Sequence, residues 1–398
     1  MAKLDIAVAG CGPGGLAAAL LLHRDGHRVR LFERFDEPQP IGSGLMIQPT
    51  GRAVLRELGL DGQLADRSAR IERLFGQAAG RTVLDVRYAA LAGDNAFGLG
   101  VHRAALFDIL FRAVRAAAIP IETGRTVTGS EMDGSGRRLR FADGCHEGPF
   151  DLIVDALGTR SPLAPPTGRP LAYGALWTSL GWPAAGPFDG AALEQRYRRA
   201  SVMAGVLPLG RPTPGQPSQA AFFWSLRADR LEHWHAQGLD AWKTEVLALW
   251  PATRPLLDQI IASEQLTFAR YAHRTLTTPV APALVHLGDA WHSASPQLGQ
   301  GANMALLDAY ALAIALRRSG EVPTALDAFR RLRGRHVRLY QVASRLFTPV
   351  YQSDGRLLPI VRDRLVGPLS RQWPAKRVLA RMVSGLIGDP LTPLGLVA

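Results

Sequence analysis

Residues 4–9 carry a strand pattern that is apolar but for Asp5, and Gly10, Gly12 and Gly15 follow at once in the spacing GxGxxG before a small-residue helix over 16–23. A strand, a tight glycine turn and a helix in that order begin a βαβ unit. The strand is buried in a parallel sheet, and the glycines let both the helix and a ligand approach its end. A second strand over 28–32 ends in Glu33, followed by Arg34. An acid there accepts from the hydroxyls of an adenosine ribose, while the helix N-terminus takes a pyrophosphate. The nucleotide expected is the adenosine half of FAD or NAD, with Gly10, Gly12, Gly15, Glu33 and Arg34 as its candidate contacts.

A second strand, turn and helix lies near the other end. Residues 283–287 read as a buried strand, Gly288-Asp289 ends it, and a polar loop leads to Asn303 and an apolar helix running toward Arg317. Gly299 and Gly301 let backbone approach a ligand, and the first amides of the helix, around Ala302 and Asn303, have no intrahelical partners. If the ligand is a flavin, the helix dipole lies near its pyrimidine edge and Asp289 accepts from ribityl or ribose hydroxyls. The plainer alternative is a capped core helix after a loop.

A chain of 398 residues predicts two or three domains, and 47% hydrophobic residues with mean hydropathy near zero predict a soluble globular protein. A net charge of +12 raises nucleic acid as a partner. The excess is almost all arginine, however, lysine occurring only at Lys3, Lys243 and Lys376, and the arginines are spread along the chain. No nucleic acid is therefore expected. Two cysteines give neither a disulfide framework nor metal spacing, so no metal is expected and a reducing cytoplasm is. Asp5 and the glycines interrupt any secretory h-region, and no run reaches the length of a membrane span.

Between these ends, residues 41–50 are too glycine-rich for a core element and lead to a helix over 51–58; Gln48 is a candidate substrate contact. His102-Arg103 precede an amphipathic helix, where Arg103 can pair with a phosphate. Residues 150–156 read as a buried strand followed by Leu157-Gly158. Residues 71–88 and 171–268 alternate like strands, with one helix around 241–249, and predict an inserted sheet-rich domain whose inward aromatics Trp177, Phe222 and Trp224 line an aromatic substrate pocket or simply form core. Beyond residue 330 the chain is helical and basic, from Arg330 through Arg371 to Arg381. That is either a solvated face or a weak docking surface for anionic lipid or an acidic carrier protein.

The set Gly10-x-Gly12-x-x-Gly15 with Glu33, Arg103 before its helix, Gly288-Asp289-Ala290-Trp291-His292, Pro296, Gly299-Gln300-Gly301-x-Asn303 and Asp308-Ala309 resembles the single-component FAD monooxygenases of the para-hydroxybenzoate hydroxylase type, over roughly residues 6–316. The resemblance implies an α/β fold: a Rossmann-like FAD-binding domain (1–70, 98–168, 272–345), an inserted β-sheet-rich substrate domain (71–97, 169–271) and a C-terminal helical region (346–398). It implies that Gly10, Gly12 and Gly15 bind the diphosphate, Glu33 the ribose, Arg103 the phosphate region and Asp289 the ribityl or pyrophosphate part. Pro296 would lie against the isoalloxazine where oxygen is activated, and residues 299–303 against the pyrimidine edge. Residues 42–48 would be a mobile segment beside the flavin.

The implied reaction takes hydride from NADPH or NADH to FAD and then transfers one oxygen of O₂, from a flavin C4a-hydroperoxide, to an aromatic or similarly electron-rich small molecule. His292, near the flavin in sequence, is a candidate catalytic residue with a structural role as the alternative. The sequence departs from the family at Leu157, where an aspartate is usual, and at Ala164, where an arginine is. A flavin oxidase or reductase of the same fold, or reduction by a separate partner, therefore stays open. A halogenase is disfavoured because residues 177–183 carry the wrong Trp spacing, and a FAD-holding redox sensor is the non-enzymatic alternative.

Overall fold

The computed structural model describes residues 3–38, 43–91, 96–184, 186–370 and 372–398; Gly42, where the expected mobile loop opens, and Arg371 lie outside them. A six-stranded sheet runs in the spatial order Val280–Ala281, Leu284–His286, Leu152–Asp155, Asp5–Ala9, Arg28–Phe32, Ile121–Glu122. All neighbours are parallel except the edge pair at 280–286. Ile6 sits between Leu152 and Val29, so the first apolar run is the centre of the sheet, and Ile153 beside Leu284 brings the last third of the chain to the first. The first helix, Pro13–Arg24, begins earlier than its small residues suggest, because Pro13 at the first helical position loses only an N–H that had no partner.

Residues 73–87 join residues 169–273 in a seven-stranded sheet: Thr267–His273, Arg169–Gly181, Gln219–Arg227, Val202–Gly210, Ala192–Arg198, Arg73–Ala78, Arg81–Arg87. One face carries a core of Phe222, Trp224, Trp234 and Trp242 under the helices Leu231–Gln237 and Leu239–Leu249. The other face looks toward the nucleotide-binding body. A small sheet of Gly44–Ile47, Gly98–His102 and Ala69–Ile71 joins the two, and Gly100 lies so close to Pro208 that a Cβ would fall 2.0 Å from its carbonyl oxygen.

A three-stranded antiparallel meander (Val127–Asp133, Gly136–Phe141, His146–Phe150), unforeseen in the sequence, covers the parallel sheet through Phe141 and Phe150 on Phe32, at 5.4 and 5.9 Å between ring centroids. The helix Val322–Tyr351 is continuous, so the expected boundary at 345/346 is corrected: it falls inside one helix. Among the described residues, no helix is long and apolar enough to cross a membrane, and no cluster of His, Cys, Asp and Glu forms a metal site.

Candidate functional site

Gly10 has φ +102°, and a Cβ there would lie 2.7 Å from Ala156 O; one on Gly15 would lie 2.0 Å from Gly10 O. Only glycine lets the helix seat this closely on the strand end. Gly12 differs: its nearest foreign atom would be 4.0 Å away, so the turn is open on that side. The helix behind it has no side-chain cap and no acid in its first turn. Glu33 faces the same turn. Its Oε2 accepts from Cys11 N at 2.9 Å, and Oε1 accepts from Arg34 N at 2.8 Å and Phe35 N at 3.3 Å. The Arg34 guanidinium lies over the Phe35 ring at the surface, 4.4 Å from its centroid. Burial, helped by Glu33, pushes the Cys11 thiol up to about 12, so it stays protonated.

The second glycine turn meets the first. A Cβ on Gly288 (φ +54°) would lie 2.9 Å from the Cβ of Ala305, and one on Gly14 would lie 3.2 Å from that same atom. Ala305 belongs to the helix Gly301–Arg318, which also lacks a side-chain cap and a first-turn acid, and Gly301 opens onto free space. Two uncapped helix N-termini are thereby packed side by side, each a partial positive charge with spare amide donors. Asp289 and Pro296 are exposed at this opening. The surrounding protein raises the Asp289 carboxyl above its ordinary range, against the pull of His292 and Arg103. Arg103 itself is anchored by its backbone N–H to Ser43 O at 2.8 Å.

Three expected ligand contacts turn away from the opening. Asn303 is fully buried: its Oδ1 accepts from Gln48 N at 2.8 Å, and its Nδ2 donates to Met46 O at 3.1 Å and Gly299 O at 2.9 Å. Its side chain is a staple between loop and helix, which leaves only its backbone for a cofactor. Gln48 is likewise fully buried and accepts from the Tyr88 hydroxyl, so it has no surface to offer a substrate. His292 is 3% exposed with Nε2 2.6 Å from Asp308 Oδ2, and its carbonyl accepts from Gln341 Nε2 at 2.9 Å. The expectation of a catalytic role is corrected to this extent: the ring is buried against Asp308, the structural alternative, and presents nothing to the opening.

The aromatic assignment is also corrected. Trp177 pairs with Phe223 and Thr178 with Phe222, and residues directly opposite share a face of the sheet. Phe222 and Trp224 therefore point to the helix-covered side, where their rings meet Trp242 at 6.1 and 6.4 Å. Trp177 faces the nucleotide-binding body, stacked on Phe223 at 4.6 Å, with Nε1 donating to the Tyr271 hydroxyl at 2.9 Å. Burial pushes that hydroxyl up to about 12, with Trp177 and Arg103 acting in the other direction. On the same face Ser179 Oγ meets Ser43 Oγ at 2.6 Å, and a Cβ on Gly44 would fall 2.7 Å from Ala221 Cβ. Phe223 and Tyr271 escaped the sequence reading; the parity of Trp177 and Ser179, followed across the strand pair, is the signal that finds them.

Residues 3–171 match the FAD binding domain family. Over nearly the whole chain there are curated relatives of one kind. The aurachin C monooxygenase/isomerase of Stigmatella aurantiaca is 28% identical, covering 98% of this chain and 99% of its own. The 3-amino-4-hydroxybenzoate 2-monooxygenase of Streptomyces cremeus is 28% identical, covering 88% and 89%. This chain is an FAD-dependent monooxygenase of the para-hydroxybenzoate hydroxylase type. The monooxygenase shares its fold with Klebsiella pneumoniae HpxO, solved with FAD and uric acid, at a TM-score of 0.80 and 20% identity over 97% of each chain.

The residues present fit FAD. Two uncapped helix N-termini would offer amides to phosphate and to an electron-rich ring edge, and Glu33 and the accessible Asp289 would offer acceptors to hydroxyls. The carboxylate that the monooxygenase lacks at Leu157 stands two residues earlier. Buried Asp155 accepts from Leu157 N at 3.1 Å and Ser161 Oγ at 2.6 Å and meets His286 Nδ1 at 2.6 Å. It fixes the turn after its strand from inside the protein, a role the sequence did not single out.

Proposed function

We propose that the monooxygenase inserts one atom of O₂ into an aromatic or similarly electron-rich small molecule, with NADH or NADPH as the electron source. FAD, when bound, supplies the redox and oxygen chemistry; the protein binds, orients and shields. The observation that carries the reading is the meeting of the two helix N-termini on Ala305, opposite the sheet face that bears Trp177, Phe223 and Tyr271. The first N-terminus, with Gly10, Gly12 and Gly15, takes the diphosphate; the second, through Gly299, Gly301 and the backbone of Ala302 and Asn303, favours negative charge on a ring edge. Pro296 lies against the ring. Half-buried Trp177, backed by the buried ring of Phe223, suits a flat substrate, Tyr271 offers a protonated hydroxyl at neutral pH, and the contacts of Ser43 and Gly44 on the sheet keep water from the gap.

The division of labour we propose assigns residues 1–70, 98–168 and 272–351 to the flavin and 71–97 with 169–271 to the substrate. Two unbridged cysteines, Cys11 and Cys145, suit a reducing cytoplasm.

Purified protein should be yellow with an FAD spectrum, and a panel of phenols and nitrogen heterocycles should contain compounds that accelerate NADH or NADPH consumption. Under ¹⁸O₂ the product should gain one labelled oxygen. Unlabelled product with stoichiometric H₂O₂ would make the protein an oxidase. Leu157 and Ala164 favour one second reading: if neither nicotinamide reduces the flavin with any compound present, a separate reductase supplies the electrons.

A further inference from the structure

The arginines are spread along the chain, but the acids that balance them are not. Residues 328–388 hold thirteen of the 46 Lys and Arg and only two of the 34 Asp and Glu, so nearly the whole net charge of +12 lies there and the rest is close to neutral. Both acids are already paired, Asp354 with Arg227 and Asp363 with Arg362. Along the outer face of the helix Val322–Tyr351, Arg331, Arg335, Arg338, Val342, Arg345 and Leu346 recur at helical spacing, and all are exposed.

Next comes a short helix, Leu357–Val361, in which only Pro359 is buried. Leu357 is 75% exposed, and Leu358, Ile360 and Val361 are exposed beside it; Trp373 follows at 71%. Exposed Arg356 and Arg364 frame this run. A protein surface tolerates scattered apolar residues, whereas four exposed ones in a single five-residue helix, between arginines and with a tryptophan further along the chain, match the composition of a headgroup layer: hydrocarbon below, anions around.

We propose that this C-terminal surface docks on an anionic lipid bilayer, with Leu357, Leu358, Ile360, Val361 and Trp373 entering the headgroup region and the arginines of the long helix lying against acidic headgroups. Charge complementarity selects this occupant. A second copy of the chain would set one strongly basic face against another, and a nucleic acid gives the leucines, isoleucine and valine nothing to enter. The helix that carries these arginines also holds the flavin-site loop through its buried face. Gln352, just past the long helix, accepts from Gln297 Nε2 at 3.3 Å and donates to Gly174 O at 3.1 Å, and Gln341 within it holds His292 O. The surface does not depend on which ring is oxidised.

Flotation of the FAD-loaded full chain with vesicles tests this. It should float with phosphatidylcholine mixed with phosphatidylglycerol, not with phosphatidylcholine alone, and high salt should release it. Brominated acyl chains should quench tryptophan fluorescence in the native protein, and the quenching should shrink in Trp373→Phe. Leu357→Gln with Ile360→Gln, and separately Arg335→Glu with Arg338→Glu and Arg345→Glu, should each weaken vesicle binding at least about tenfold with flavin content unchanged. Absent or headgroup-indifferent flotation, or quenching that ignores Trp373, would overturn the proposal. So would a concentration-dependent dimer broken by the same substitutions, or tight capture of an acidic protein with no vesicle binding.

Discussion

Asp308 Oδ1 stands 2.8 Å from Arg333 Nε, and both side chains are wholly buried. The other carboxylate oxygen accepts from Gly288 N at 2.9 Å and meets His292 Nε2 at 2.6 Å. Burial alone would raise this carboxyl, yet His292 and Arg333 hold it below the ordinary range. One aspartate thus fixes the turn that presents Asp289. Removing one partner of a buried pair leaves the other charge stranded, so Asp308→Asn should cost about 3–5 kcal/mol in denaturant unfolding and loosen FAD. Unchanged stability and flavin content would refute the linkage.

His336 extends the network, Nδ1 accepting from Arg333 Nη1 and Nε2 donating to Gly385 O, both at 2.9 Å. Burial and Arg333 push this imidazole from 6.5 down to about 3. The unfolded chain takes up the proton first, so the contribution of neutral His336 is full above pH 6.5 and is lost as pH falls toward 3. Urea unfolding should show stability declining across that window, with a slope from this group of at most about 1.4 kcal/mol per pH unit, and His336→Gln should flatten it. An equal slope in the variant would count against this assignment.

Gly14→Ala should destabilise by about 1–3 kcal/mol and weaken FAD, because the new methyl meets Ala305 Cβ at 3.2 Å. Adding Ala305→Gly should restore both. The same partner should not rescue Gly288→Ala, whose φ of +54° strains any side chain. Thermal melts of the four variants decide it.

Asp289→Ala should weaken FAD by roughly ten- to a hundredfold in a fluorescence titration, the worth of a hydrogen bond to a charged group, with Asp289→Asn between the two. Because the carboxyl is raised, its charge is lost at a higher pH than for an ordinary aspartate, and the difference between native protein and Asp289→Asn should narrow as pH falls. A fully yellow alanine variant would remove Asp289 from the site.

The two faces of the seven-stranded sheet predict opposite phenotypes. Trp224→Ala, in the helix-covered core, should cost about 3–5 kcal/mol and leave KM alone. Trp177→Ala should raise KM for the aromatic substrate more than it lowers the melting temperature. Reversal of this pattern would mean that substrate binds on the other side.

The local elements were legible because they depend on neighbours in sequence. The strand Asp5–Ala9, the glycine turn, Glu33 at the end of Arg28–Phe32 and the uncapped start of Gly301–Arg318 follow from apolar runs, glycines and chain ends that need no distant partner to be recognised. The parallel sheet they build, and the FAD it serves, follow from those same residues.

Only the tertiary structure decided where each polar or aromatic side chain points. Asn303, Gln48 and His292 lie beside glycines that border the opening, and a side chain bonding to distant backbone leaves the same local trace as one bonding to a ligand; their partners, Met46, Tyr88 and Asp308, come from other elements. Phe222 and Phe223 differ by one position and by a whole face, because strand parity acquires meaning only when a register such as Trp177 with Phe223 is set. The meeting of Gly14 and Gly288 on Ala305 needs three segments to fold together, so it exists in the packing and nowhere in the order of the residues.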